Sequence, residues 1–145
     1  MPYVLLRAAA SISSTNPDIE GDRRDGKRTT AVAIGGRSAH LLATLLLGGA
    51  LLWSQVTGDT TAFIAGACSV PGYLLYIFVP KPWAVEASYK AGGAAVMIVA
   101  ACRFPAFAPV ALVTLLATIL YFRLRFGIVY PSLMPAGPLK AKSVS

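Results

Sequence analysis

The sequence predicts an all-α membrane protein: four transmembrane helices in two antiparallel hairpins, with both termini on the same, inner side and extended polar tails. Three observations carry that expectation. The 145 residues are 56% hydrophobic and only 13% charged, and the mean hydropathy is +0.65. Apolar runs recur at the length of about 20 residues that a helix needs to cross a bilayer. The breaks between them are short, Gly58-Asp59 being the shortest, and short breaks make consecutive helices antiparallel neighbours.

Residues 1–37 read as a polar N-terminal tail. Its start, MPYVLLRAAASIS, contains Arg7 and several serines, as an organelle presequence would. Asp18, Glu20, Asp22 and Asp25 follow closely, and such presequences are poor in acids. The stretch 20–28, EGDRRDGKR, mixes charges around glycines without apolar periodicity and is expected to be extended or loop-like.

The first span covers 38–57, with His40 near its start and Trp53 near its exit, where an aromatic belt residue belongs. The second, 60–79, carries Pro71-Gly72 in mid-run; a kink is expected, tolerated where neighbouring helices satisfy the freed carbonyl. Tyr73, Tyr76 and Phe78 are expected to approach the far interface. Pro80-Lys81-Pro82-Trp83 ends that span and opens the third, 83–102, with proline suited to a first helical turn and Trp83 to an interface. Arg103-Phe104-Pro105 turns the chain into the fourth span, 106–126, whose exit gathers Tyr121, Phe122, Arg123 and Arg125. Residues 127–145 form a Pro-rich, basic C-terminal tail, in which Pro131, Pro135 and Pro138 oppose helix.

Charge orients this layout. The N-terminal tail, the 80–83 turn and the C-terminal tail hold eleven basic residues, from Arg7 to Lys142, whereas the opposite side has Arg103 alone. The positive-inside rule then turns both termini to the cytoplasm, matrix or stroma. A net charge of +7 would suggest nucleic acid in a soluble protein. Here the cations sit at span ends and tails, so anionic lipids are the expected partner and nucleic acid is not.

Candidate sites are few. Glu86 and Lys90 lie four apart inside the third span, one helical turn from each other. An ionisable residue within a span is a functional candidate by default. An intramembrane ion pair near the interface, with Lys90 snorkelling back, is the plainer reading. His40, the single histidine, could ligate a haem or chlorophyll, or serve as an interfacial hydrogen-bonding residue. With two cysteines, Cys68 and Cys102, and no CxxC, no metal site is expected; both thiols are expected to be small buried groups. Small residues at Gly48, Gly49, Ala62, Gly66, Ser88, Gly92 and Gly93 mark helix-packing surfaces. Trp53, Trp83, Tyr121, Arg123 and Arg125 are the expected interface anchors. No Ser/His/Asp set, HExxH or phosphate-binding loop is present, so no enzymatic role is expected of this chain by itself.

From Ala84-Val85-Glu86 through Gly92-Gly93 to Arg103-Phe104-Pro105 and the apolar run ending at Tyr121, the chain resembles the DoxX-like family of small four-helix membrane proteins. The resemblance spans 38–126 and implies that Glu86 is the one residue to carry a functional role, with a link to quinone-dependent membrane oxidoreductases. The first hairpin departs from the family pattern, having Trp53-Ser54-Gln55 and Gly58-Asp59 where a glycine and a basic residue are usual.

The expected function is that of an accessory, non-catalytic subunit of a large energy-transducing membrane complex, respiratory by preference and a photosystem as the alternative. It would sit in an organellar inner membrane, mitochondrial or else thylakoid, against other membrane subunits. The alternative is an independent DoxX-like redox-linked or small-molecule carrier using Glu86. No intrinsic cofactor is expected; bound lipids are, with quinone, haem or chlorophyll only in company with partner chains.

Overall fold

The computed structural model describes residues 1–127, so the C-terminal tail expected at 127–145 lies, beyond its first residue, outside the described residues. Seven α-helices follow in order: α1 (Pro2–Ser14), α2 (Ile19–Arg24), α3 (Thr30–Ile34), α4 (Gly36–Thr57), α5 (Thr60–Phe78), α6 (Pro82–Arg103) and α7 (Phe107–Phe126). A short 3-10 turn, Asn16–Asp18, joins α1 to α2. No strand occurs among the described residues. Helices α4 to α7 are each long and apolar enough to cross a membrane, as expected. The chain is therefore an integral membrane-helix protein, and its spans start or end within two residues of the sequence-based bounds.

Local chemistry explains the boundaries. Gly58 ends α4 in the left-handed region at φ 66°, a conformation glycine adopts without penalty. Asp59 then caps α5, its Oδ1 accepting from the Ala62 N–H at 3.0 Å. Thr29 caps α3 in the same way through Val32. Within the spans, hydroxyls bond back to their own helices: Ser54 to Leu51 O, Ser69 to Ala65 O, Ser88 to Val85 O, Thr114 to Val110 O. In lipid no water is available, so a span tolerates a serine or threonine that satisfies itself.

The N-terminal segment departs from expectation. Residues 1–37 are not an extended tail. Residues 2–14 form α1, and Glu20–Arg24, expected to be loop-like, lies within α2. Leu, Arg and Ala favour helix, and Leu6, Ala9, Ser13 and Asn16 recur at spacings of three and four, which puts them on one face. That face is the heart of the molecule. Ala9, Ala43, Leu47 and Tyr73 form its apolar core, with Leu6, Ile12, Leu46, Leu51 and Val70 packed around them. A helix read as tail is the central packing element.

Helix α1 runs antiparallel to α4. Tyr3 Oη donates to Asp59 Oδ1 at 3.1 Å beside the α4–α5 turn, whereas Asn16 lies against Gly36 at the start of α4. The first turn of α1 thus stands at the end of the bundle opposite the 79–81 connection, away from the other basic residues of the N-terminal segment. Burial and the hydrogen bond to Asp59 raise the Tyr3 phenol above its ordinary range, burial being the larger cause.

Two further expectations are corrected. Tyr73 does not approach an interface: it is 2% exposed, at the centre of the core. Cys68 and Cys102 are free and exposed on the outer surface, not buried. A small sulfur side chain on an apolar helix face is as compatible with lipid as with a core.

Candidate functional site

Polar groups collect where the end of α1 meets the starts of α4 and α6 and the last turns of α5. Ser13, His40 and Ser88 are each 0–1% exposed, and Asn16 is nearly buried. The Tyr73 phenol lies beside the hydroxyls of Ser13 and Ser88. His40 stacks on the Tyr73 ring with centroids 5.3 Å apart and an interplanar angle of 23°. Its Nε2 donates to the Tyr73 carbonyl at 2.9 Å. Tyr76 flanks the imidazole on another side, 4.3 Å between centroids.

Three atoms of this cluster have no hydrogen-bond partner among the described residues: both amide atoms of Asn16, and His40 Nδ1. Buried polar groups in folded proteins are nearly always satisfied, so such a concentration points to a place where something polar binds. The imidazole's role follows from its partner. A carbonyl only accepts, so Nε2 carries the hydrogen; in a neutral ring Nδ1 is then a lone-pair acceptor. A cavity of about 360 Å³ lies at the start of α4 and the end of α5, lined by Arg37, His40, Leu41, Tyr76, Ile77, Phe78 and Pro80.

The segment between α1 and α4 supplies charge. Glu20 pairs with Arg23 and Arg24 at 3.9 and 3.7 Å, while Lys27 bridges Asp22 and Asp25 at 3.5 and 3.1 Å. These acids, Asp25 first, raise the Lys27 ammonium above its usual range. Asp22 differs from the others in being buried, with a side chain 9% exposed. Gly26 and Gly35, both at positive φ, let the chain reverse on either side of α3.

The residues picked from sequence distribute as follows. Glu86 and Lys90 form an ion pair on α6, Lys90 Nζ donating to Glu86 Oε2, with side chains 12% and 24% exposed. His40 is buried inside the polar cluster, four residues into α4, and is hydrogen-bonded there. Ala62, Gly66, Ser88 and Gly92 are buried. A Cβ added at Gly92 would lie 2.0 Å from Ser69 Oγ, and one at Gly66 would lie 2.8 Å from Leu51 Cδ2. Gly48 and Gly93 have open space around them, and Gly49 meets only Leu5. Trp53, Trp83 and Tyr121 are exposed near helix ends, and Tyr121 packs edge-on against Phe122 and Phe126. Missed altogether were Ser13 and Asn16 as members of the cluster and Arg37 as a wall of the cavity. The three-four spacing that leads from Leu6 to Asn16 was the available signal.

No family model matches the chain, and no solved structure gives a significant match. Over 82 residues, 57% of its length, the chain is 32% identical to a 1,4-dihydroxy-2-naphthoate octaprenyltransferase of Bacillus subtilis (strain 168). The aligned part is 25% of that enzyme, so the chain spans about a quarter of the curated relative it matches.

Proposed function

We propose that this chain is part of a membrane-embedded prenyl-transfer machinery, in which apolar helices accommodate an isoprenoid tail and a polar cluster at one end receives the reacting head groups. The observation that carries the reading is the 82-residue likeness to an octaprenyltransferase. Chemistry supports it. Moving a prenyl group breaks its bond to a leaving group and forms one to an aromatic acceptor. A catalyst must therefore hold a long apolar chain, a charged leaving group and a ring within one water-poor site. The broad apolar outer surface, the mixed-charge segment from Asp18 to Arg28 and the cluster around His40 have the matching chemistry. By the positive-inside rule, the segment from Asp18 to Arg37 faces the cytoplasm or its organellar equivalent.

The test is transfer of a labelled octaprenyl group from its diphosphate to 1,4-dihydroxy-2-naphthoate, in membranes that carry the chain against membranes that lack it. Prenylated product only in the former is expected. Equal product from native membranes with and without the chain overturns the reading.

A second reading is an accessory subunit of a respiratory or photosynthetic complex in an organellar inner membrane. One observation favours it: within the described residues α7 has no buried residue, and an apolar helix of that kind is a surface that neighbouring subunits could cover. Extraction in mild detergent tests it, since a protein that migrates alone is no such subunit. A carrier role for Glu86, as the DoxX-like resemblance implies, is a further proposal. Unchanged activity in Glu86→Gln overturns it.

A further inference from the structure

We infer that the cavity between the start of α4 and the end of α5 binds one anionic phospholipid. Its phosphodiester would sit on Arg37 and its acyl chains on the apolar faces of the two helices. Arg37 is the second residue of α4 and Phe78 the last of α5. The cavity they line is therefore within about one helical turn of the bundle's end. Both helices are long and apolar enough to cross a membrane. A cavity at that level stands where phospholipid headgroups meet acyl chains.

Charge selects the headgroup. Arg37 is exposed, and among the described residues no carboxylate pairs with it. Lys81 directly follows the lining residue Pro80; it too is exposed and forms no ion pair with a described acid. A guanidinium grips phosphate oxygens through two parallel hydrogen bonds. Cations without acids beside them disfavour the choline of a zwitterionic headgroup and favour a net negative one. The positive-inside rule turns this end of the bundle to the inner leaflet, where anionic lipids are the source of the negative surface potential.

Shape selects a lipid over a free phosphate. Leu41, Ile77 and Phe78 are apolar walls. One turn deeper, Leu45 shares a face of α4 with Leu41, and Leu74 shares a face of α5 with Phe78. All four are exposed. Each helix thus continues the cavity as an apolar ridge, one for each chain of a diacyl lipid. A free phosphate would leave both ridges bare. A prenyl diphosphate brings a single tail and more negative charge than one guanidinium matches. At their other ends α4 and α5 are joined by Gly58 and Asp59; at this end no turn links them, and the lipid bridges the pair.

The site does not depend on the prenyl-transfer reading, and its test needs no turnover. The full chain, purified in a charge-neutral detergent, is titrated with dioleoyl phosphatidylglycerol or dioleoyl phosphatidylcholine. Bound lipid is counted by native mass spectrometry. Phosphatidylglycerol is expected to bind about tenfold tighter, the scale of one charge-assisted hydrogen bond, with a single tightly held molecule. Arg37→Gln should erase that preference. Arg103→Gln removes the same charge at the opposite end of the bundle and should leave it intact; both arginines are exposed, so neither change should perturb folding. Glycerophosphoglycerol, the headgroup without its chains, should not displace the lipid, nor should octaprenyl diphosphate in equal amount. Equal binding of the two phospholipids, equal losses in the two variants, or displacement by either competitor overturns the inference. Selective binding by a chain that transfers no prenyl group supports the site and counts against the function proposed above.

Discussion

Helices α6 and α7 are consecutive, similar in length and both apolar, yet the molecule treats them differently. Helix α6 is pressed against α5 so closely that a Cβ built on Gly72 would stand 2.5 Å from Ser88 Cα. Towards its other end, one on Gly92 would stand 3.2 Å from the Ala65 carbonyl oxygen. Residues 72 with 88 and 69 with 92 face each other, the register of an antiparallel pair. Helix α7, the more apolar of the two by sequence, has no fully buried residue among the described ones. The contrast follows from the solvent. Lipid tails are as apolar as leucine, so leucine-rich surfaces gain little by meeting each other, whereas small residues gain close backbone contact. Helix α6 has Ala84, Ala87, Ser88, Ala91 and Gly92; α7 offers chiefly Leu, Val, Ile and Phe.

The largest effect should come from closing the gap that the seam depends on. Gly72→Leu cannot be absorbed by rotating a neighbouring side chain, because the obstacle is the Ser88 backbone. The helices must separate, at a cost of about 3 kcal/mol, the upper end of ordinary overpacking penalties. Titration with SDS from a mild detergent should unfold this variant far earlier than wild type. An unchanged midpoint would mean that α5 and α6 are not in this register.

The same contrast marks what a sequence discloses. The four spans were legible because length and hydropathy alone decide whether a helix can cross a bilayer. The Glu86–Lys90 pair was legible because i,i+4 spacing is a local property. Helix α1 was not, since thirteen residues with an arginine and three serines are too short and too polar to read as a span. What makes α1 central is the fit of Ala9 and Leu6 against α4 and α5, a tertiary fact. The polar cluster was hidden for the same reason. Ser13, Asn16, His40, Tyr73 and Ser88 are far apart in sequence, and each has an innocuous reading where it stands.

A smaller effect separates two adjacent glycines. Gly92→Ala drives a methyl group into Ser69 Oγ and towards the Ala65 carbonyl. A loss of about 1–2 kcal/mol is expected, partly restored by adding Ser69→Ala. Gly93→Ala enters open space on the outer face, where replacing glycine in a helix should stabilise by about 0.5 kcal/mol. Opposite signs in the same unfolding assay are expected; equal losses would place both glycines in packed interfaces.

The smallest effect should be on α7. Leu116 is 56% exposed, so Leu116→Ala removes contacts with lipid or detergent and almost none with the chain. Its expected cost in the isolated protein is within about 0.5 kcal/mol, as for ordinary surface substitutions. That value is informative because α7 has two candidate coverings. If only lipid meets it, Leu116→Ala is as silent in native membranes as in detergent. If other protein covers it, whether more of a prenyl-transfer assembly or the subunits of a respiratory complex, the substitution is silent in the purified chain and destabilising in the membrane. A leucine filling a pocket in a partner costs several-fold more than one facing acyl chains. Measuring the same variant in both settings thus decides whether the bare helix is a finished outer wall of this bundle or one half of an interface.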